Sequence, residues 1–523
     1  MNKKLLEKTK QWMSLERATL KQREIAEDYY ETELMELIKR EFIQNNKAKL
    51  IESAEYMILS VGTSYEPLVL SLSLFKPKKV LFLYTEKTEK IIDKVVKFCE
   101  LSSSSFLKEI VNEVEPLSIY RKIKEAYLEW KEPEKIYIDF TGGTKAMSAA
   151  SAMAGAVINI QLVYVGTEQY LTDFRKPKPG TERIYYISNP YEVFGDLEID
   201  KALNLFQKCN YAGAREKLEE LKEKVPEPIS RQQLNFMYLL AKSYEMWDSL
   251  DFEKAHSNML QLINELKRDK TVNPNFVLMD MLPHLVCQKD ILEPLTKIAD
   301  YMRKKENLKV TQNKEYIIPL MFTMYACSLI REKQEKYDSA TLLLYRLLEM
   351  IEQRRLAMYG IDVSRADYLH MQFPKDKFEK MNKLGEKERF ETYKTMVNAV
   401  KKEVFAKIGN TYLADTISLL EGFIHLTALQ DELMLRGGEN PITKIKKLRA
   451  AVYLRNNSIF AHGLSPVSYE DYLKFKNMVV SIFKQLCDIE KIDFDGYMEN
   501  MKWINPADSK HYIYGANTWQ SFI

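Results

Sequence analysis

The sequence has few residues that interrupt helices and few cysteines. Its 523 residues include only 17 glycines and 17 prolines, and since these residues mark turns and loops, their scarcity favours long helices. The five cysteines lie far apart, and the sequence contains no CxxC pair and no Cys/His cluster. The sequence therefore predicts no metal site and no cofactor, and isolated cysteines fit a reducing cytoplasm.

A strong net charge and a membrane-length apolar run are also missing. The formal charge of +3 is too small to predict nucleic-acid binding from bulk charge, so any RNA contact has to be local. Two basic stretches, 401–407 and 444–449, are candidates, although such runs are usually solvated helix faces. The first residues contain no apolar signal segment, and the longest apolar stretch, 146–165, predicts a buried helix feeding a buried strand. We expect a soluble cytoplasmic protein without membrane contact.

The chain is too long for one compact core, and its hydrophobic pattern changes from one segment to the next. Residues 1–50 are charged, periodic and free of glycine and proline, which predicts one or two helices. Residues 51–195 alternate short apolar runs with helical segments. Residues 196–394 carry almost no strand pattern and predict a helical connector, and residues 395–523 predict a C-terminal helical domain.

Six short apolar runs rich in Val, Ile, Leu and Tyr define the segment 51–195. Runs of this length that alternate with helical patterns are typical of parallel strands covered on both faces, so we predict a doubly wound α/β domain. The runs are 56–61, 80–84, 106–111, 136–140, 161–165 and 183–187.

Glycines and hydroxyl-bearing residues follow two of these runs, where the loops of a parallel sheet converge. Since such loops bind ligands and helix starts favour anions, we predict a phosphate-bearing ligand here. The alternative, that the glycines only let the following helix, 146–157, lie close to the sheet, is compatible with a ligand role. The candidates are Gly62, Thr63 and Ser64 after the first run, and Thr141, Gly142, Gly143, Thr144 and Lys145 after the fourth.

Neither loop has the pattern of a known nucleotide fingerprint. No glycine stands five residues before Gly143, and Ala146 takes the place of the Ser or Thr that binds magnesium in a P-loop. Gly62 is not followed by the further glycines of a dinucleotide-binding turn. ATP hydrolysis and dinucleotide binding are therefore disfavoured.

The string Ile136-Tyr-Ile-Asp-Phe-Thr-Gly-Gly-Thr-Lys-Ala-Met147, together with Val61-Gly-Thr-Ser64 and the segment 189–195, resembles the CARF domain, the Rossmann-like sensor of CRISPR systems. The resemblance implies a homodimer whose paired sheets bind a cyclic oligoadenylate. It places the phosphate and ribose contacts at Thr63, Ser64, Gly142, Gly143, Thr144 and Lys145. This type of sensor resembles members that use the smaller ring, which favours cyclic tetra-adenylate over hexa-adenylate.

An aromatic residue followed by alanine and an aliphatic residue at helical spacing recurs in the connector. The spacing suits tetratricopeptide-like helical hairpins, but the intervals do not match a 34-residue repeat, so an irregular connector is predicted. The triplets are Tyr211/Ala214/Leu218, Phe252/Ala255/Met259 and Tyr337/Ala340/Leu344.

Residues 447–463 have an apolar face and predict a helix that ends at Gly463. On a helix, Arg455 and His462 return to nearly the same azimuth and share one face, near Asn456 and Ser458. Cleavage of RNA without a metal needs a cation for the phosphate and a group that transfers protons, which Arg and His supply. The alternative is that His462 only caps a helix end and Arg455 only pairs with a carboxylate.

The spacing alone is not specific, because Arg365 and His370 form a similar pair in a segment where Gly360 and Pro374 argue against a long helix. The complete string Arg455-Asn-Asn-Ser-Ile-Phe-Ala-His-Gly463 resembles the R-x(4–6)-H motif of HEPN ribonucleases, in which a polar residue follows the arginine. The resemblance implies a metal-independent composite site between two protomers, with Arg455, Asn456 and His462 in the catalytic roles.

A sensor, a helical connector and a HEPN domain in this order resemble type III CRISPR accessory ribonucleases of the Csm/Csx kind. The resemblance implies an endoribonuclease of antiviral defence that is activated by cyclic oligoadenylate and cleaves single-stranded RNA to a 2′,3′-cyclic phosphate. Two alternatives stay open. One is a ligand-controlled interaction protein without catalysis, and the other is a sensor that also degrades its own ligand through Thr63, Ser64 or Thr144.

Overall fold

The computed structural model describes residues 3–50, 53–189, 196–271, 274, 276–374, 377–405, 411–456, 458–459 and 463–506. The chain divides into two compact units, Met1–Asp196 and Leu197–Ile523. Of Leu454 and Arg455 the backbone alone is described, and residues 190–195, part of the segment that resembles CARF, lie outside the described residues. No described helix has both the length and the apolar character that a membrane span requires.

The first unit begins with helices, as predicted, but with more than the one or two expected. Thr19 starts a new helix because its hydroxyl accepts from the Gln22 backbone while the Gln22 side chain accepts from the Thr19 backbone, a reciprocal cap. The elements are α1 (Lys3–Ser14), α2 (Leu20–Tyr29), a π-helical turn (Tyr30–Leu34), α3 (Met35–Asn46) and a 3₁₀ turn (Lys47–Lys49).

A six-stranded sheet follows, and its strands coincide with the predicted runs. Their order is β3-β2-β1-β4-β5-β8, and β1 to β5 are parallel. The expectation that the last run is also parallel was wrong, because β8 pairs antiparallel with β5. A short hairpin instead of a crossover helix joins these two strands, so the chain returns in the opposite direction. The strands are β1 (Tyr56–Ser60), β2 (Lys79–Tyr84), β3 (Phe106–Ile110), β4 (Ile136–Asp139), β5 (Gln161–Thr167), β6 (Tyr170–Leu171), β7 (Lys176–Pro177) and β8 (Glu182–Ile187).

Helices cover both faces of the sheet, as the apolar strands require. One face packs against the N-terminal helices, α4 and α5, and the other against α6 and α7. The stretch 146–165 is a helix feeding a strand, as predicted. The helices are α4 (Glu66–Phe75), α5 (Glu89–Cys99), α6 (Pro116–Glu129) and α7 (Lys145–Ile158), and a 3₁₀ turn (Thr172–Phe174) joins β6 to β7.

The described part of the second unit is helical and is built on one continuous apolar core from Ile199 to Ile504. The predicted triplets stand at helix starts, and their alanines are fully buried. Its helices are α8 (Asp196–Gln207), α9 (Tyr211–Lys224), α10 (Pro228–Asp248), α11 (Phe252–Asp269), α12 (Val277–Asp280), α13 (Leu282–Leu295), α14 (Ile298–Arg303), α15 (Asn307–Gln312), α16 (Lys314–Lys333), α17 (Tyr337–Ala357), α18 (Glu386–Val404), α19 (Leu419–Ala428), α20 (Glu432–Leu435), α21 (Pro441–Asn456), α22 (Tyr469–Glu490) and α23 (Phe494–Met501), with a 3₁₀ turn at Met381–Lys383. The domain boundary at 394/395 stays a prediction, since helices on both sides of it share this core.

Buried ion pairs fix α17 against the helices that precede and follow α21. Arg354 holds Glu490 through two bonds of 2.9 and 3.1 Å. Arg355 holds Asp431 at 2.7 Å, and the Tyr359 hydroxyl donates to the same carboxylate at 2.7 Å. Because each charge is paired and hydrogen-bonded, loss of one partner would leave a buried charge uncompensated.

Glu352 of α17 is a buried carboxyl without such a partner. Among the described residues nothing bonds its Oε1, which occupies the space that a Cβ on Gly422 of α19 would need. Burial raises the pKa of Glu352 well above its usual value. The folded state therefore holds a proton that the unfolded chain releases at lower pH, so the protein loses stability as the pH rises from the unfolded pKa toward the folded one.

Glu352→Gln is expected to remove this loss, because an amide of the same shape has no proton to release. The melting temperature of the variant should exceed that of the wild type by a margin of a few degrees that grows as the pH rises above the usual pKa of glutamate. Glu349→Gln is the control, since Glu349 lies one turn away and pairs with Arg346 at 3.0 Å at the surface. A margin independent of pH would contradict the assignment of a protonated Glu352.

Candidate functional site

The two glycine loops of the first unit meet at the edge of the sheet. Strands β1 and β4 are neighbours, with Leu59 opposite Asp139, so the loops that follow them lie side by side. A Cβ on Gly62 would lie 2.6 Å from the backbone nitrogen of Gly143, and a Cβ on Gly142 would overlap the Ser60 carbonyl oxygen. Gly143 has a φ of +89°, which favours glycine. Gly62 and Gly142 therefore allow the two loops to pack directly against each other, and Gly143 allows the backbone to turn.

Asp139, which the sequence reasoning did not single out, organises the second loop. This fully buried residue accepts from the Thr141 backbone at 2.9 Å and from the Thr141 hydroxyl at 2.5 Å. The same hydroxyl accepts from the Val165 backbone at 2.8 Å, so Thr141 ties β4 to β5. Burial raises the pKa of Asp139, an effect that the bonds from Thr141 oppose. The Thr141 hydroxyl is thus occupied inside the protein, which favours a positioning role for this residue.

The other candidates are more open. Thr63 and Ser64 are exposed after β1, and Lys145 is exposed at the start of α7. Thr144 caps α7 by accepting from the Met147 backbone at 3.2 Å, and its hydroxyl donates to the Glu113 carbonyl at 3.0 Å. Within the described residues, Lys145 has no ion-pair partner. An exposed cation beside a capped helix start and two exposed hydroxyls is a suitable environment for phosphate and ribose groups.

A second group missed from the sequence holds the start of α4, directly after Ser64. The Lys176 ammonium contacts Glu66 at 2.5 Å and Glu27 at 2.9 Å and lies 4.2 Å from the centre of the Tyr30 ring. Burial alone would lower the pKa of Lys176, but the two carboxylates raise it above its usual value. The partners stand 110 and 149 residues away in the sequence, so no local pattern could have found them.

In the second unit the helix α21 ends at Asn456, and the expectation that it continues to Gly463 was wrong. Ser458 forms an isolated bridge with Ser465, and the Gly463 backbone donates to the Ser458 carbonyl at 3.2 Å. Ser458, Gly463 and Ser465 thus form backbone bonds that do not belong to a continuing helix. Arg455 lies in the last turn of α21, its side chain is not among those described, and His462 lies outside the described residues.

The prediction that Arg455 and His462 share one helix face stays a prediction, because His462 lies outside the described residues. The bond from Gly463 places its backbone next to Ser458, three residues after Arg455 in the sequence. Asn456 is half-buried at this point.

Buried contacts along α21 fix the position of its C-terminal end, where Asn456 lies. Ile445 and Leu448 are buried in the core of the second unit. Lys444 is also buried and donates to the Leu433 carbonyl and the Gln485 side chain, both at 2.7 Å. Burial lowers the pKa of Lys444. The opposite side of the helix reaches solvent.

Two of the described histidines, His370 and His425, lack the features of a proton-transfer site. The segment of Arg365 and His370 is a loop, as Gly360 and Pro374 suggested, and His370 is an exposed residue that pairs with Asp367 at 2.7 Å. His425 is buried, and its Nδ1 is hydrogen-bonded to the Tyr393 hydroxyl at 2.6 Å. Its burial lowers the pKa of His425 to about 3, so this imidazole stays neutral near pH 7.

Comparison with known families assigns both candidate regions. Residues 68–178 match the Card1 CARF domain, residues 194–292 the Csm6 6H domain, and residues 309–486 the Csm6 HEPN domain. Over these three stretches the chain is similar to Csm6 and Card1 proteins, with a CARF match followed by 6H and HEPN matches. The CARF match includes the loop 141–145 but begins after Ser64, and the HEPN match includes Arg455 and His462. It begins at 309, ahead of the predicted boundary at 395.

One curated relative is similar to part of the chain. The CRISPR system endoribonuclease Csm6 of Thermus thermophilus is 28% identical over 310 residues, which are 58% of this chain and 62% of that protein. The chain thus spans about three fifths of the length of this curated relative.

Two solved structures are also similar. Enterococcus italicus Csm6 bound to cyclic hexa-2′-fluoro-hexa-dAMP has a TM-score of 0.45 at 10% identity, over 86% of this chain and 97% of that one. Can2 of Sulfobacillus thermosulfidooxidans in complex with cyclic tetra-adenylate has a TM-score of 0.21 at 14% identity, over 41% of this chain and 69% of that one.

Proposed function

We propose that this protein is a cyclic-oligoadenylate-activated, metal-independent endoribonuclease that cleaves single-stranded RNA in type III CRISPR antiviral defence. The observation that carries the proposal is the presence, in one chain, of a CARF match containing the loop 141–145 and a HEPN match containing the Arg455 to His462 string. The endoribonuclease name of the Thermus relative supports the same activity.

In the proposed reaction the 2′-hydroxyl of the RNA attacks the adjacent phosphorus. A new bond from the 2′-oxygen to phosphorus forms, the bond to the 5′-oxygen breaks, and a 2′,3′-cyclic phosphate remains. Arg455 holds the phosphate oxygens and stabilises the charge that develops on them. His462 transfers the proton that leaves the 2′-oxygen or reaches the 5′-oxygen, and Asn456 orients these groups.

The sensor is proposed to bind cyclic oligoadenylate at the loops of Thr63, Ser64 and Gly142 to Lys145, with Gly62 and Thr141 shaping them. Cyclic tetra-adenylate is favoured over hexa-adenylate. Gly62 and Gly142 bring the two loops together, and the cation of Lys145 stands at the start of α7, where an anion is favoured.

The unit of function is proposed to be a homodimer. Leu117 of α6 and Met153 of α7 are 71% and 65% exposed, and Val157 lies one turn beyond Met153. Exposed apolar residues of this kind on adjacent helices are typical of a surface that another chain covers.

The proposed domain division is 1–50, 51–195, 196–394 and 395–523, with helices of the connector from 309 onward contributing to the HEPN fold.

The test uses purified full-length protein, fluorescent single-stranded RNA and EDTA. Cyclic tetra-adenylate should start cleavage, cyclic hexa-adenylate should act more weakly, and linear adenylates should not act. The products should carry a 2′,3′-cyclic phosphate. Tight ligand binding with intact RNA would favour the interaction protein over the ribonuclease, and cleavage that needs added Mg²⁺ would contradict the HEPN mechanism.

A further inference from the structure

One side of α21 carries two cations and an aromatic residue that the catalytic roles leave unused. Lys446, Arg449 and Tyr453 precede Asn456 by ten, seven and three residues. At about 100° per residue these four positions fall within about 80° of the helix circumference. They form a stripe, here called the α21 stripe (Lys446, Arg449 and Tyr453), that leads to the end of the helix where the Arg455 to His462 string begins.

The members of the stripe are available for a partner. Lys446 and Arg449 are exposed, and neither forms an ion pair with any described residue. The Arg449 guanidinium instead lies 5.0 Å from the centre of the Phe405 ring, which supports it from one side. Tyr453 is 68% exposed and contacts no other described ring. The core contacts of α21 come from another face, where Ile445 and Leu448 are buried, so packing of the core does not account for the exposed residues of the stripe.

We propose that the α21 stripe binds the single-stranded RNA next to the scissile phosphate, which rests on the proposed ribonuclease function. Tyr453 stacks on a base beside the cleaved bond, and Arg449 and Lys446 bind successive phosphates further along the strand. Aromatic rings and cations in alternation are the usual means of holding single-stranded nucleic acid without reading its sequence. From Asn456 to Lys446 the stripe is about 15 Å long, at 1.5 Å per residue.

A neighbouring lysine provides a matched control. Lys447 lies on the same helix with the same charge, but it points about 140° away from the middle of the stripe and pairs with Glu439 at 2.5 Å. A general effect of charge on this helix would be the same at Lys447 as at Lys446. If RNA binds along the stripe, a charge change at Lys446 should weaken RNA binding, and the same change at Lys447 should not.

The experiment measures kcat and KM for RNA cleavage by the ligand-activated full-length protein at several salt concentrations. Tyr453→Leu should raise KM roughly 10-fold, or about 1.4 kcal/mol, because the variant loses the stacking of one base, and Tyr453→Trp should restore KM. Lys446→Glu combined with Arg449→Glu should raise KM and flatten its logarithmic salt dependence by about 0.7 for each phosphate that the variant no longer neutralises. Lys447→Glu should leave both unchanged.

The possible outcomes separate the stripe from the catalytic assignment. If the wild type does not cut RNA, the proposed function and the stripe fall together. If the wild type cuts RNA and KM is unchanged in the stripe variants, the stripe alone is wrong. If Tyr453→Leu or the double variant becomes monomeric in sedimentation while the wild type is a dimer, this face is a contact between copies and the inference is overturned.

Discussion

His462→Ala is expected to abolish ligand-stimulated RNA cleavage in EDTA, with a loss of at least about 10²–10⁴-fold in kcat, the usual contribution of a general acid or base. The reason is that His462 is the proposed proton-transfer group, and two of the described histidines are unsuited to replace it. His425 is buried and neutral, and His370 is paired in an exposed loop. Single-turnover cleavage of fluorescent RNA at saturating cyclic tetra-adenylate measures the effect.

His370→Ala is the matched control, because His370 also follows an arginine at short spacing but lies outside the α21 region. It should cleave RNA like the wild type. Arg455→Ala should match His462→Ala in loss of kcat while cyclic tetra-adenylate still binds, since the sensor loops belong to the first unit. Cleavage by His462→Ala at the wild-type rate would refute the HEPN assignment for this string.

The sheet and the two glycine loops at its edge were predictable because their causes are local. Each strand is a short apolar run, and the chain returns to parallel after each helix, so the carboxyl ends of β1 and β4 meet at one edge. The direction of β8 was not predictable in this way. It depends on whether a helix or a hairpin joins it to β5, and the two-residue strands β6 and β7 leave almost no periodic pattern.

The end of α21 shows where periodicity misleads. Residues 447–463 keep an apolar pattern at helical spacing, yet the helix ends at Asn456, and Ser458, Gly463 and Ser465 form other backbone bonds. Helix propensity is a property of each residue by itself, so it does not predict bonds between residues five and seven positions apart. Lys176 and Glu352 are similar cases, since each is defined by partners that are distant in the sequence: Glu27 and Glu66 for the first, and the space above Gly422 for the second.

Gly142→Ala is expected to eliminate activation by cyclic tetra-adenylate. The added methyl group would overlap the Ser60 carbonyl oxygen and lie 2.9 Å from the Gly62 backbone nitrogen, so the loops after β1 and β4 would have to separate. Such overpacking costs about 1–3 kcal/mol of stability. It also moves both loops that are proposed to hold the ligand. RNA cleavage should fall to the level seen without ligand, although the Arg455 to His462 string is unchanged.

Thermal unfolding with and without ligand separates a defect in binding from a defect in folding. A ligand at 100 times its Kd stabilises a binding protein by about 2.7 kcal/mol, so the wild type should melt at a higher temperature with cyclic tetra-adenylate, and Gly142→Ala should not. Gly385→Ala is the control glycine, because its φ is −65° and no atom lies within 4 Å of an added Cβ. It should keep both the ligand-induced rise and the activation. If Gly142→Ala melted cooperatively and still gained the full rise, the paired glycine loops could not be the ligand site, and the sensing function would have to reside elsewhere on the first unit.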